Sequence, residues 1–206
     1  TQNSDQLNWI NIVRITLPGI IVGLVIGRWL VKRPHYLSLL HPKKWISEIK
    51  KTRKDRAFHI GVISLGLGIA SYLTILIIHF IFLQIIGPEP FISEDNIFTE
   101  ISQLFYPLFL ASIILVPVIE EWLFRGIILT EIKMKTESSV LAIMVSALTF
   151  AVFHLSNPGT QLLALIPYSI GGIFMGVSYI LGGLASAIFS HIIYNLMPIM
   201  LSLLIN

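Results

Sequence analysis

The 206-residue sequence contains no cysteine, so a disulfide framework, a thiolate metal site and a cysteine nucleophile are all excluded. It is also short of charge: Asp, Glu, Lys and Arg make up 12% of it, against roughly 25% in soluble domains. Hydrophobic residues reach 55%, and the mean hydropathy is +0.83. Such proportions exclude an ordinary soluble domain and point to an integral membrane protein. Any chemistry must therefore use Glu, His, Ser, Thr or Asn. The net charge of +3 and the pI near 9.2 do not call for nucleic acid. The basic residues lie beside apolar segments, where bilayer orientation and anionic headgroups account for them.

What is present in quantity is long apolar sequence. Six segments, at about 9–31, 58–86, 104–130, 139–156, 161–181 and 183–205, approach or exceed the roughly 17–25 residues that a spanning helix needs. The expected fold is all-α: about six transmembrane helices in one bundle, forming a single polytopic membrane domain over residues 1–206. Gly19, Gly23 and Gly27 in the first segment, and Gly172 and Gly176 in the fifth, recur at four-residue spacing. That spacing puts them on one helix face, where they permit close packing. No basic region precedes the first segment, so a cleaved signal peptide is not expected.

Lysine and arginine set the expected orientation. The linker from Lys32 to Arg56 holds nine of the fourteen, whereas "GPEPFISEDNIFTE" at 87–100 holds none and carries four acids. By the bias of basic residues toward the cytoplasm, the linker at 32–57 is cytoplasmic and the acidic loop lies outside. Lys133 and Lys135, after the third segment, agree with that assignment, and alternation then places both termini outside.

Against this apolar background, "VIEEWLFRG" at 118–126 sets two carboxylates and an arginine within a spanning segment, at roughly 2.5–3.5 kcal/mol per charge on insertion scales. Glu121 and Arg125 are four apart and share a helix face, so they can pair; Glu120 is turned about 100° away. Glu121 would then be ionised and structural, leaving Glu120 to face the bundle interior. Pro117 removes a backbone donor just upstream and loosens the helix there. On the fourth segment Phe150 and His154 are four apart, and on the sixth His191 and Asn195 are four apart. At 1.5 Å per residue, Glu120 lies roughly 20 Å from Lys133, His154 roughly 22 Å from Ser139, and Asn195 roughly 18 Å from the Gly182–Gly183 turn. Helices of opposite direction thus bring their polar groups to similar depth, which predicts a polar site between the third, fourth and sixth helices.

Other polar residues carry simpler expectations. His79, with no polar neighbour at helical spacing, and His59, near a membrane edge, read as structural histidines. Ser146, Thr149 and Ser190 read as backbone hydrogen-bonders, and Phe150 as packing behind His154. No Ser, Lys and Asp set recurs at one depth, which argues against a serine nucleophile.

EExxxR at Glu120, Glu121 and Arg125, FxxxH at Phe150 and His154, and HxxxN at His191 and Asn195, in that order, resemble the motifs of the CAAX protease and bacteriocin-processing (CPBP, or Abi) family of intramembrane endopeptidases. That family includes the CAAX prenyl endopeptidases of the Ras-converting type. The resemblance covers about residues 104–200, the expected catalytic core. It implies that Glu120 and His154 activate a water, that His191 and Asn195 form an oxyanion hole, and that Glu121 and Arg125 organise the site. A carboxylate shielded from bulk water suits this role, and general-base help contributes roughly 10²–10⁴ in rate. Glu120, His154 and His191 also have the composition of a zinc site with an open position, so zinc is a possible cofactor beside the favoured metal-free mechanism.

The expected activity is hydrolysis of a peptide bond in a membrane-associated protein or peptide, with a peptide or lipid-anchored protein as substrate and the cell membrane as location. Two other classes compete with it. A non-catalytic immunity or regulatory scaffold has no need of every catalytic residue. A proton-coupled transporter accounts for intramembrane Glu, His and Arg, but no broken-helix inverted repeat is evident.

Overall fold

The computed structural model describes residues 24, 27, 28, 30–41, 43, 44, 54–87, 106–155 and 162–205, with side chains left aside at 54–56, 106–112 and 202–205. Two compact units, Thr1–Ser38 and Leu39–Asn206, are distinguished. In the first, the described residues 24, 27, 28, 30 and 31 of the expected first span are helical, and a single turn, α1, spans His35–Ser38. The rest of that span, Gly19 and Gly23 included, residues 42 and 45–53 of the basic linker, and nearly all of the acidic loop lie outside the described residues.

The described elements of the second unit are all helices, and no strand occurs among the described residues. Its elements are α2 (Lys54–Ile85), α3 (Tyr106–Glu121), a π-helical stretch (Trp122–Leu129), α4 (Thr130–Thr136), α5 (Ser139–His154), a 3₁₀ turn (Leu162–Ala164) and α6 (Leu165–Ile205). Among the described residues, two helical segments, Ala57–Ile85 and Leu162–Leu201, are long and apolar enough to cross a membrane, and Ser139–His154 is a shorter apolar helix. Along α2, Phe58, Val62, Leu65, Leu73, Ile77 and Phe80 are exposed. A surface this apolar is stable only against lipid or another apolar phase.

The α6 run is a hairpin. Gly183 has φ 78° and ψ −170°, a combination that favours glycine because any Cβ would be strained there. Ser178 Oγ lies 2.8 Å from Ser190 Oγ, whereas in a straight helix twelve residues rise about 18 Å. The chain has therefore reversed at Gly183, dividing α6 into a first and a second limb as the glycine pair predicts. Ser178, Ser186 and Ser190 then join Ser64 of α2 in a buried hydroxyl cluster, with Ser64 and Ser178 each within 2.9 Å of Ser186 and Ser190 Oγ donating to the Ser64 carbonyl at 3.0 Å. In an interior without water these bonds satisfy groups that would otherwise be costly to bury.

Glycine sets how closely the helices approach. A Cβ on Gly68 of α2 would lie 2.7 Å from the Ser190 carbonyl oxygen, and one on Gly172 of the first limb 2.9 Å from Ala147 Cα of α5. Backbones so near each other bring polar side chains from separate helices within bonding range.

Candidate functional site

Helix α3, the π-helical stretch and α4 form one continuous rod that changes hydrogen-bond register at Trp122, five residues after the buried Pro117. In a π-helix the backbone bond spans five residues instead of four, which widens the turn and recurs at functional sites. Here Trp122, Phe124, Arg125, Gly126, Ile127 and Leu129 are all buried. Thr130 Oγ1 donates to the Arg125 carbonyl at 3.0 Å, and Ser146 Oγ of α5 donates to the Phe124 carbonyl at 2.8 Å. The two hydroxyls thus occupy carbonyls within the widened turn. Ser146 and Ser190 do bond backbone, although both reach a neighbouring helix; Thr149 bonds its own helix, at the Val145 and Ser146 carbonyls.

Glu121 and Arg125 make the pair that their spacing predicts. Arg125 Nη1 donates to Glu121 Oε1 at 2.9 Å with both side chains fully buried. Arg125 Nη2 donates to the Gly172 carbonyl at 2.9 Å, and the guanidinium lies 4.9 Å from the Phe150 ring centroid, within cation–π range. Helical spacing alone accounts only for this pair. In the fold Glu121 also accepts from His191 Nδ1 at 2.8 Å, so the structural carboxylate touches a residue of the last motif. Nothing in local spacing signals that contact, which depends on the hairpin at Gly183.

Glu120 faces the other way. His154 Nε2 lies 3.6 Å from its Oε1 and His191 Nε2 lies 3.7 Å from its Oε2, with 15% of the carboxylate side chain accessible. Each oxygen addresses one imidazole at a distance too long for a direct hydrogen bond. His154 Nδ1 is 2.9 Å from the Phe150 carbonyl. A carbonyl only accepts, so Nδ1 carries a proton; Glu121, paired with Arg125, likewise accepts from His191 Nδ1. In the neutral form of either ring, Nε2 is then an unprotonated lone pair directed at Glu120.

Phe150 lies behind the site, with ring centroids 4.2 Å from His154 and 5.1 Å from Phe124. Asn195 is half-buried on the second limb of α6, one turn after His191. The fold therefore gathers Glu120, Glu121, Arg125, Phe150, His154 and His191 from three helices through direct contacts, with Asn195 adjoining through its place on the limb. Tyr168 was not expected from the sequence: its ring stacks on His154 at 4.4 Å and 30°. No motif spacing marks it, because it belongs to the first limb of α6.

The class defined by these features is an all-helical, membrane-embedded protein with a Glu–His centre between its helices. Residues 102–197 match the family described as Rce1-like, type II CAAX prenyl endopeptidase. The matched stretch contains all three motifs, and the family that it resembles is one of membrane-embedded proteases. No curated protein and no solved structure matches the chain.

Proposed function

We propose that the protein is an intramembrane endopeptidase that hydrolyses a peptide bond in a membrane-associated substrate, of the CAAX or peptide-precursor kind, using water activated at Glu120. The observation that carries this reading is the approach of both imidazole Nε2 atoms to one half-open carboxylate. A water about 2.8 Å from both Glu120 Oε1 and His154 Nε2 fits off the line joining them. There it would give its proton to Glu120 while attacking the scissile carbonyl. As the tetrahedral oxyanion forms, the Asn195 amide is a suitable donor. His191 Nδ1 is engaged by Glu121, so Nε2 can donate to the oxyanion only from the imidazolium, whose charge the oxyanion itself would balance. Collapse of the intermediate then needs a proton on the departing amine, which Glu120 supplies. Turnover of a membrane-anchored peptide by purified protein, abolished in Glu120→Gln, tests this assignment; sustained turnover in that variant would remove Glu120 as the base.

A metal-dependent version of the same hydrolysis rests on the donor types alone, since no group of three His, Asp or Glu side chains placed to hold a metal ion occurs among the described residues. Two Nε2 lone pairs and a carboxylate make the His₂Glu set of catalytic zinc sites, and the Nδ1 bonds to the Phe150 carbonyl and Glu121 are of the kind that orient metal-binding imidazoles. A zinc ion held by Glu120, His154 and His191 would polarise the scissile carbonyl and activate the water. Stoichiometric zinc in active protein, lost together with activity in His191→Ala, would select this version. Activity undiminished by chelation in metal-free protein would select the other.

In the bilayer, the bundle of about six spans would hold the basic linker in the cytoplasm and the acidic loop outside. Because native cysteine is absent, Lys51→Cys and Ser93→Cys can be labelled singly in intact cells. An impermeant reagent is expected to reach only Ser93→Cys, and the reverse pattern would invert the orientation.

A further inference from the structure

We infer that Tyr168, which lies outside all three motifs, is a positioning residue for His154, its ring fixing the plane in which the imidazole presents Nε2 to Glu120. The catalytic significance of that plane rests on the endopeptidase reading. His154 is the last residue of α5. A helix's final turn lacks the onward hydrogen bonds that stiffen its middle, so end residues fray. A group that must direct a lone pair at a fixed carboxylate is poorly placed there unless other elements hold it.

Three close contacts restrain the ring, with Phe153 adding a more distant edge contact at 6.2 Å. Its Nδ1 bonds the Phe150 carbonyl at 2.9 Å, which fixes one atom yet still permits rotation about that contact. Phe150 bears on it at 4.2 Å with a 45° tilt, from one turn earlier on the same helix. Tyr168 comes from α6 and stacks at 4.4 Å and 30°, the more nearly parallel of the two ring contacts. With Phe150 and Tyr168 6.4 Å apart, the three centroid distances put the two rings at roughly a right angle about His154. They form a corner, so neither replaces the other. Phe150 moves with α5, whereas Tyr168 ties the imidazole to the same helical hairpin that carries His191. The stack therefore couples the two histidines that face Glu120.

The ring, not the hydroxyl, is the acting part, which Tyr168→Phe and Tyr168→Leu separate. With protein labelled at histidine and held in detergent micelles, the carbon-bound protons of His154, assigned by their loss in His154→Gln, should show an upfield ring-current shift. That shift is expected to persist in Tyr168→Phe and to collapse in Tyr168→Leu. Kinetically, Tyr168→Leu should lower kcat about 10–100-fold with KM within about twofold, since misplacement of a reacting group by about 1 Å is enough for such losses. Tyr168→Phe should stay within about threefold of wild type on both constants. Unchanged His154 shifts in Tyr168→Leu, or an equal kcat loss in Tyr168→Phe and Tyr168→Leu, would overturn the inference. If the shifts move as expected but the wild type cleaves no peptide, the positioning of His154 stands and the endopeptidase reading alone falls.

Discussion

Glu120 and Glu121 are neighbours in the chain and opposites in the fold. Glu121 is fully buried and holds Arg125 and His191 at 2.9 and 2.8 Å, whereas Glu120 keeps 15% of its side chain accessible and meets its two histidines at 3.6 and 3.7 Å. The helix turns about 100° between them, which suffices to send one carboxylate into a buried pair and the other to a partly accessible position facing two histidines. The difference teaches what each position can tolerate. A buried charge needs a permanent opposite charge, and removing one partner of such a pair typically costs about 3–5 kcal/mol. A carboxylate that handles protons needs the opposite: access to a reactant.

The strongest way to break this comparison is at Glu120. Glu120→Gln keeps the shape of the side chain but cannot take a proton, so kcat for peptide cleavage should fall at least roughly 10³-fold, with the melting temperature in detergent within a few degrees of wild type. Equal thermal damage in Glu120→Gln and Glu121→Gln would show that the two carboxylates do not divide as described. Glu121→Gln should instead lose about 3–5 kcal/mol of stability by leaving the Arg125 charge unpaired, read as lower yield and earlier unfolding. Glu121→Gln together with Arg125→Met should recover part of that loss, and no recovery would argue against the pair.

Asn195→Ala sharpens the open side of the comparison. In the proposed role of oxyanion donor its amide would act mainly in the transition state, so kcat should drop roughly 10²–10³-fold, or about 2.7–4 kcal/mol, with KM little altered. A rise in KM at constant kcat would place Asn195 in substrate binding instead. The dry side is sharpened by Gly172→Ala, whose new Cβ meets Ala147 Cα at 2.9 Å and displaces the carbonyl that accepts from Arg125. Overpacking of this kind costs about 1–3 kcal/mol. Gly61→Ala, with nothing within 4 Å of the added atom, is the control and should be neutral or stabilising. The smallest effect is expected at Ser146→Ala, about 1 kcal/mol, because only the bond to the Phe124 carbonyl is lost; a measured cost near zero would mean that the carbonyl in the widened turn finds another donor.

Much of this site is legible before folding because helices make it so. EExxxR, FxxxH and HxxxN each place residues on one face through the 3.6-residue turn, and the apolar lengths bring those faces to similar depth, so Glu121–Arg125 and Phe150–His154 are local contacts readable from spacing. Membrane character is compositional, and the reversal at Gly182–Gly183 is marked by the residue type that adopts a positive φ without a Cβ penalty. Tertiary structure alone decided the rest. The bond from His191 to Glu121, the Gly172 carbonyl on Arg125 and the Tyr168 ring on His154 join residues 70, 47 and 14 positions apart, on helices whose mutual rotation no single-helix pattern specifies. The switch from α to π geometry at Trp122 is equally invisible locally, since the sequence there is ordinary helical sequence after a proline. Helical periodicity determines which side chains share a face; only packing of the helices decides which faces meet, and so which of two adjacent glutamates is held dry and which is left open to water.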